Sequence, residues 1–513
     1  MNSGSTVRVR VFRYHKGMDK PRYETYEVPR LPKMTVLDAL EYITEVLGVD
    51  LAYRSSCGIM RCGQCGVLVN GKAVLACQHK IETDEITVDP LPNFPIIRDL
   101  VVDFSQARND LQRILHFVRG KAAEFPEPID DEKMKKVRDF SQCIECRLCM
   151  SVCPIITGYK EWLGPTFFVW VSRFNMDVRD AAKNMRLEKI RDELWYCAAC
   201  GSCEIICPWE VPVWEGINEL RSEVVESGFI PRTLRVALTN VINYKNPWGL
   251  RGKRDQWAQG MKIKRLPGEK ADVLFFVGCT ASYETRVQNV ARAGVMVLEK
   301  ANVDFGILGD YESCCGEPFL RIGEKGLFEL LANENIENFK RCEVKTIVTI
   351  CPHAYDVFTK EYPKLGISFT ALHHTQFLSD LIDRGKLRIA RRLDKVVTYH
   401  DPCFLGKRNK IFEAPRKILE SIPGIKLEEM PRNKENSFCC GGGGGRMWFE
   451  ESSLKVKESP CVIRAKEAAE LKPDIIVTAC PFCLTNLEYG VKVIERENEI
   501  QVMDIMELLT NVI

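Results

Sequence analysis

Apolar and polar residues alternate from Val7 to Tyr14, and again from Tyr23 to Val28 after a Gly-Met-Asp-Lys-Pro turn, so two half-buried strands are predicted near the start. Thr35 is placed to cap an amphipathic helix whose apolar stripe is Val36, Leu37, Leu40, Ile43 and Leu47. A cysteine-bearing loop follows, and three prolines between Asp89 and Pro95 read as a linker, which makes residues 1–95 a small α+β domain. Asp99 to Lys121 and Asp131 to Phe140 have helical spacing, and residues 96–250 are expected to be mainly helical. From Ala271 short β runs alternate with helices, the signature of α/β layers. The order Ala-Asp-Val-Leu-Phe-Phe-Val-Gly-Cys, helix, Val-Asp-Phe-Gly-Ile-Leu-Gly, Thr-Ile-Val-Thr-Ile-Cys returns from Lys395 onward. Matching cysteines stand 124 residues apart (Cys279 and Cys403), 125 apart (Cys314 and Cys439) and 129 apart (Cys351 and Cys480), so residues 271–390 and 391–513 read as an internal duplication.

A chain of 513 residues with 45% apolar and 28% charged positions is ordinary globular protein, which excludes disorder, collagen and coiled coil. The net charge of +2 makes no electrostatic case for nucleic acid. The longest apolar runs, Val273 to Val277 and Phe167 to Val171, fall far short of the ~20 residues that cross a bilayer. Nothing in Met-Asn-Ser-Gly-Ser-Thr marks the chain for export, so a cytoplasmic protein is expected. There, 23 cysteines remain thiols and need explaining as ligands or catalysts.

Cys57, Cys62, Cys65 and Cys77 have the plant-type spacing of a [2Fe-2S] site, with Gly58, Gly63 and Gly66 expected to take positive φ and bring backbone N–H groups to the sulfurs. A structural zinc site there lacks the second Cys-x2-Cys pair. Cys143, Cys146, Cys149, Cys153 and Cys197, Cys200, Cys203, Cys207 are two complete bacterial ferredoxin runs, in which the fourth cysteine of each crosses to the other cluster. One [4Fe-4S] set is then Cys143, Cys146, Cys149 and Cys207, and the other Cys197, Cys200, Cys203 and Cys153.

This order of motifs resembles the iron-sulfur subunit of succinate dehydrogenases and fumarate reductases over residues 1 to about 250. The resemblance implies a β-grasp [2Fe-2S] domain, a helical two-cluster domain and a partner flavoprotein holding FAD. No strand, G-x-G-x-x-G and helix unit occurs in the chain, which agrees with FAD on a separate polypeptide. The pairs Cys314-Cys315-Gly316 and Cys439-Cys440-Gly441 resemble the CCG domains found in heterodisulfide reductases and in glycerol-3-phosphate and glycolate oxidoreductases. In that family a lone cysteine, an adjacent pair and a terminal Cys-x2-Cys build one four-iron cluster. The second copy carries the whole set, Cys403, Cys439, Cys440, Cys480 and Cys483. The first copy has Cys279, Cys314, Cys315 and Cys351, with Ala354 where the fifth cysteine would stand. Four thiolates, or three plus His353, hold zinc or an ordinary cluster, or the copy is vestigial.

The joint resemblance implies oxidation of the thiols of coenzyme M and coenzyme B to their heterodisulfide at the second copy, coupled to reduction of fumarate to succinate on the flavoprotein. His400 is the candidate proton donor to a leaving thiolate. Gly441 to Gly445 lacks the Lys-Ser or Lys-Thr of a phosphate loop; Gly441 and Gly442 are expected to let backbone approach a cluster or thiol. Cys342 and Cys461 read as small buried hydrophobes, and His373 and His374 as residues preceding a helix. The rival is the iron-sulfur subunit of a quinone-linked succinate dehydrogenase in which the CCG half only docks; a third reading makes that half a zinc domain for partner binding.

Overall fold

The computed structural model describes residues 6–114, 116–121, 130–450 and 456–513. They divide into two compact units: the first holds residues up to 193 and 201–220, the second 194–200 and nearly all of the chain from Arg221 onward.

In the first unit, β1 (Thr6–Arg13) and β2 (Arg22–Pro29) pair antiparallel with Val9 opposite Tyr26. Val7, Val9 and Val11 are fully buried while their neighbours face out, the period of two that the sequence carries. With β3 (Gly66–Val69), β4 (Lys72–Leu75) and β5 (Glu85–Asp89) they form a five-stranded sheet of order β2-β1-β5-β3-β4, in which β1 and β5 run parallel, a β-grasp. The helix Val36–Glu41 crosses it, begun by a capping box in which the Thr35 hydroxyl accepts the Asp38 N–H at 3.2 Å and the Asp38 carboxylate accepts the Thr35 N–H at 2.8 Å. It widens into a π turn over Tyr42–Val46, which keeps Ile43 buried but rotates Leu47 out to solvent, off the stripe expected of it.

The expected helix Asp99–Lys121 is shorter, Ser105–Gln112, and position 115 lies outside the described residues. Two short strands precede it, β6 (Ile96–Arg98) and β7 (Val101–Val102). Asp99 explains the difference: buried at φ +45°, it accepts the N–H groups of Tyr14 and Ala52 at 3.0 Å each and Arg13 Nε at 3.2 Å, bonds that helical backbone there would forfeit. Helices Asp131–Ser141, Gly164–Asn175, Lys183–Ile190 and Val213–Glu226 follow, with the short helices Leu148–Ser151 and Ser202–Ile205 inside the cysteine motifs.

In the second unit, β8 (Lys264–Arg265), β9 (Val273–Phe276), β10 (Phe305–Ile307), β11 (Thr346–Thr349) and β12 (Thr370–His373) form a parallel sheet of order β12-β11-β9-β10-β8. The strands β13 (Lys395–Tyr399), β14 (Ile425–Leu427), β15 (Ile475–Thr478) and β16 (Gln501–Asp504) form another parallel sheet, β14-β13-β15-β16. Read in one direction, β12-β11-β9-β10 and β16-β15-β13-β14 are the same order, so the duplication extends from cysteine spacing to topology. The central strands Val273–Phe276 and Ile475–Thr478 are buried at every position, as parallel strands covered on both faces must be. One apolar core joins Phe275 and Val348 of the first copy to Val397 and Ile476 of the second. Both copies end alike: His373 with Gln376, and Asp504 with Glu507, form capping boxes at the helices that follow β12 and β16. Among the described residues no helix is long and apolar enough to cross a membrane.

Candidate metal centres

Cys57 sits in the loop ahead of β3, where its sulfur accepts the N–H groups of Ile59, Arg61 and Cys62 at 3.5, 3.2 and 3.3 Å. These donors pull its thiol down to about 6. Gly58 and Gly63 take the positive φ expected of them, +65° and +66°. Gly66 does not: it opens β3, and its bare Cα makes room for Leu91 and Leu148. Burial pushes Cys65 up to about 12, with the neighbouring charges of Cys77 and Cys62 adding to it.

The first unit also brings together Cys143, Cys146, Cys149 and Cys207. Burial pushes Cys143 up to about 12 and Cys146 to about 11, and Cys207, from the later motif, adds to both. Burial raises Cys149 as well, and its sulfur meets the Thr166 hydroxyl at 3.3 Å. Buried thiols so shifted are neutral at pH 7 on their own; a cationic iron core reverses that balance and makes them thiolates, so the donor set fits a cluster. Gly63 binds the two ligand loops to each other, because a Cβ there would stand 2.4 Å from Ile144 O and 3.0 Å from Cys146 N. Of the remaining ferredoxin-type cysteines, Cys153 and Cys203 belong to the first unit and Cys197 and Cys200 to the second.

The second cysteine-rich copy gathers its five sulfurs at the C-terminal ends of β13 and β15 and in the loop beginning at Cys439. Cys439 lies 3.7 Å from Cys403, and Cys440 lies 3.4 Å from Cys483, sulfur to sulfur; all five cysteines are buried. Gly441 N–H donates to Cys439 at 3.3 Å, and the Gly442 N–H and Asn486 Nδ2, at 3.8 Å, serve Cys440. His400 joins Cys440 and Cys483 within 4.8 Å. Its Nδ1 accepts Arg464 Nε at 3.1 Å, which fixes the single proton on Nε2, and burial with the Arg464 charge holds the ring down to about 3. The proton on His400 Nε2 meets no hydrogen-bond partner among the described residues.

The first copy is arranged otherwise. Cys279, Cys314, Cys315 and Cys351 line a cavity of about 30 Å³ together with Ala354, Trp448 and Phe482. Tetrahedral zinc needs sulfurs about 3.8 Å apart, given Zn–S bonds of ~2.3 Å. Cys279, Cys314 and Cys315 stand within hydrogen-bonding reach in series, Cys279 to Cys314 and Cys314 to Cys315. His353 lines this cavity as well; its Nδ1 meets Glu317 Oε2 at 3.0 Å, and the ring hydrogen-bonds Cys480 of the second copy and stacks on Phe404 with centroids 3.9 Å apart. Cys279 is served by Arg254, whose Nη2 donates to its sulfur at 3.3 Å. Arg254, Glu312, Glu317 and Asn486 carry no local motif, and reading along the chain missed them. Cys342 and Cys461 are buried, as expected of small hydrophobes, and His373 caps the helix that His374 begins.

Comparison with known proteins agrees with this division. Residues 8–109 match a 2Fe-2S iron-sulfur cluster binding domain, 139–211 a 4Fe-4S dicluster domain, and 273–355 and 397–488 a cysteine-rich domain. The chain is 32% identical to a subunit of the Fumarate reductase (CoM/CoB) of Methanothermobacter marburgensis over 98% of each chain. It is 32% identical to a subunit of the dihydromethanophenazine:CoB--CoM heterodisulfide reductase of Methanosarcina barkeri, covering 74% of this chain and 96% of that one. It is also 32% identical to the EtfAB:quinone oxidoreductase of Syntrophomonas wolfei, covering 75% of this chain and 59% of that one. With full-length identity and all three kinds of cysteine domain present, the chain belongs to the family of the Fumarate reductase (CoM/CoB) iron-sulfur subunits, which are oxidoreductase components.

Proposed function

We propose that the chain is the electron-transfer and thiol-oxidising subunit of a fumarate reductase. Coenzyme M and coenzyme B give up two electrons and two protons as their thiols join in the heterodisulfide, and fumarate takes up two of each on a partner FAD flavoprotein to become succinate. Cys57, Cys62, Cys65 and Cys77 would hold a [2Fe-2S] cluster, and the two crossed ferredoxin sets a [4Fe-4S] cluster each. Cys403, Cys439, Cys440, Cys480 and Cys483 would hold a further four-iron cluster. Bound there, such clusters supply one-electron carriers, which divide the two-electron oxidation of a thiol pair into single steps.

The chain's own groups keep that second-copy site usable. His353, Asn486 and the Gly441 and Gly442 amides direct N–H groups at the sulfurs, which offsets the negative charge of five thiolates in a buried pocket. Phe404 and Phe482 flank His353 and keep water from it. A reducing cytoplasm suits a chain with this many unpaired thiols.

The observation that carries this reading is the convergence of five second-copy cysteines on the same polypeptide as twelve ferredoxin-type cysteines. The test is an air-free preparation of this chain with the flavoprotein, assayed for fumarate-dependent loss of both thiols. Heterodisulfide formed in step with succinate is the expected outcome. Because one relative is named a quinone oxidoreductase, a quinone is assayed in parallel; turnover with the quinone alone refutes the thiol reading.

A further inference from the structure

The ligand sets use only the first two residues of the five-glycine run. Gly441 and Gly442 serve Cys439 and Cys440, but Gly443 and Gly444 face elsewhere. A Cβ on Gly443 would stand 2.5 Å from Ala198 O, and one on Gly444 would stand 2.4 Å from Cys197 O. The run is thus pressed onto the loop that carries Cys197 and Cys200, and both belong to the second unit. Gly444 has φ +66°, the same value as Gly63, whose Cβ would meet Ile144 O at the same 2.4 Å. The device that seats the [2Fe-2S] loop on the Cys143–Cys149 loop therefore recurs between the Cys197–Cys200 loop and the second cysteine-rich copy.

Two arginines close this contact. Buried Arg221 donates to the carbonyls of Leu194 and Cys197 at 2.7 Å each, and on its other side to Gly444 O at 3.2 Å and Arg321 O at 2.7 Å. Arg446, directly after the glycines, donates to Tyr196 O at 2.9 Å and Gly441 O at 3.0 Å. Both guanidinium charges act on the Cys197 sulfur, and Cys403 lies near enough to Cys200 for their charges to interact. A packing contact alone calls for shape; this one adds two cations beside the Cys197 sulfur, and charge beside a cluster's sulfurs is one of the protein's levers on its potential.

We infer that Gly443, Gly444, Arg221 and Arg446 form the electron-transfer junction between the Cys197–Cys200 ligand loop and the second cysteine-rich centre, with the two arginines as positioning residues that also raise the potential on the Cys197 side. This rests on the proposed function. Each crossing moves one electron: the cysteine-rich side is oxidised by one, the ferredoxin side reduced by one, and no bond or proton changes hands. Two crossings match one thiol pair.

The test uses the full chain with its clusters, photoreduced without thiols or fumarate, and follows electron equilibration between the two centres by freeze-quench EPR. Gly444→Ala is expected to slow equilibration severalfold with both EPR signals retained. Should that variant lose iron, Arg446→Gln decides: it is expected to lower the midpoint potential of the Cys197-side cluster and slow equilibration, and Arg446→Lys to restore the potential in part. Equilibration at the wild-type rate with an unshifted potential in Arg446→Gln overturns the inference. Absence of any second cysteine-rich signal in the wild type overturns the proposed function instead, and the junction with it.

Discussion

The buried pair Arg254–Glu312 offers a sharp test of what holds the first cysteine-rich copy in shape. Both side chains are 3% exposed, and Arg254 reaches Glu312 Oε1 through Nη2 and Nε at 2.8 and 3.1 Å. Glu312 also accepts the N–H groups of Val277 and Gly278 at 3.1 and 2.9 Å, so it fixes the strand-end turn that leads to Cys279. Burial opposes the Arg254 charge, while Cys279 and Glu312 raise its pKa above the ordinary value; a guanidinium does not deprotonate at neutral pH, so Arg254 stays charged when Glu312 is removed. Glu312→Ala then strands a buried cation and two amides. Removing one partner of a buried pair costs about 3–5 kcal/mol, and the orphaned amides fall largely within that loss because the turn relaxes. At about 2–4 °C per kcal/mol for a domain of this size, the melting temperature of the anaerobic holoprotein should fall by about 6–20 °C. The double variant Arg254→Met, Glu312→Gln removes the charges together and keeps an acceptor for an amide, so it should recover most of the loss. A Glu312→Ala protein melting within a degree of wild type would refute the reasoning, as would a double variant no more stable than the single one.

Glu193 supplies a pH prediction. Burial raises its carboxyl from the ordinary 4.5 to about 7, so the folded chain binds a proton that the unfolded chain has released. Stability should therefore fall as pH rises between about 4.5 and 7 and level off above, and Glu193→Gln should flatten that slope in melting curves across the range. Cys483→Ser should cost the second cysteine-rich centre its iron while the EPR signals of the ferredoxin-type clusters persist; unchanged iron by anaerobic elemental analysis would argue against Cys483 as a ligand. Gly63→Ala meets both an unfavourable φ, worth about 1–2 kcal/mol, and a backbone carbonyl 2.4 Å away, whereas Gly58→Ala meets the φ alone. Thermal melts should rank Gly63→Ala clearly below Gly58→Ala, and equal melting temperatures would remove the close-approach argument.

Much of the site can be read along the chain because cluster ligation is local: a thiolate every third or fourth residue in a tight loop leaves a spacing that few other uses of cysteine share. The repeat is legible for a related reason, since short apolar strands followed by amphipathic helices bury themselves only as α/β layers, and the sheet orders β12-β11-β9-β10 and β16-β15-β13-β14 bear this out. The expected helix from Asp99 shows where such reading ends. Its periodicity is helical, yet Asp99 accepts the N–H groups of Tyr14 and Ala52 from far earlier in the chain, and those bonds override the local pattern.

Periodicity along the sequence thus determined a small α+β domain, a mainly helical stretch and a repeated α/β domain, and cysteine spacing marked the candidate iron ligands, because both act over a few residues. Only the tertiary structure decided what surrounds those cysteines: His353 turned to Glu317 and Cys480, Arg254 held by Glu312 beside Cys279, and Gly444 seated on a carbonyl 247 positions earlier in the chain, at Cys197. A buried charge or a backbone pressed against another needs its partner for the arrangement to be stable, and that partner is supplied by folding from a distant part of the chain, where no local pattern announces it.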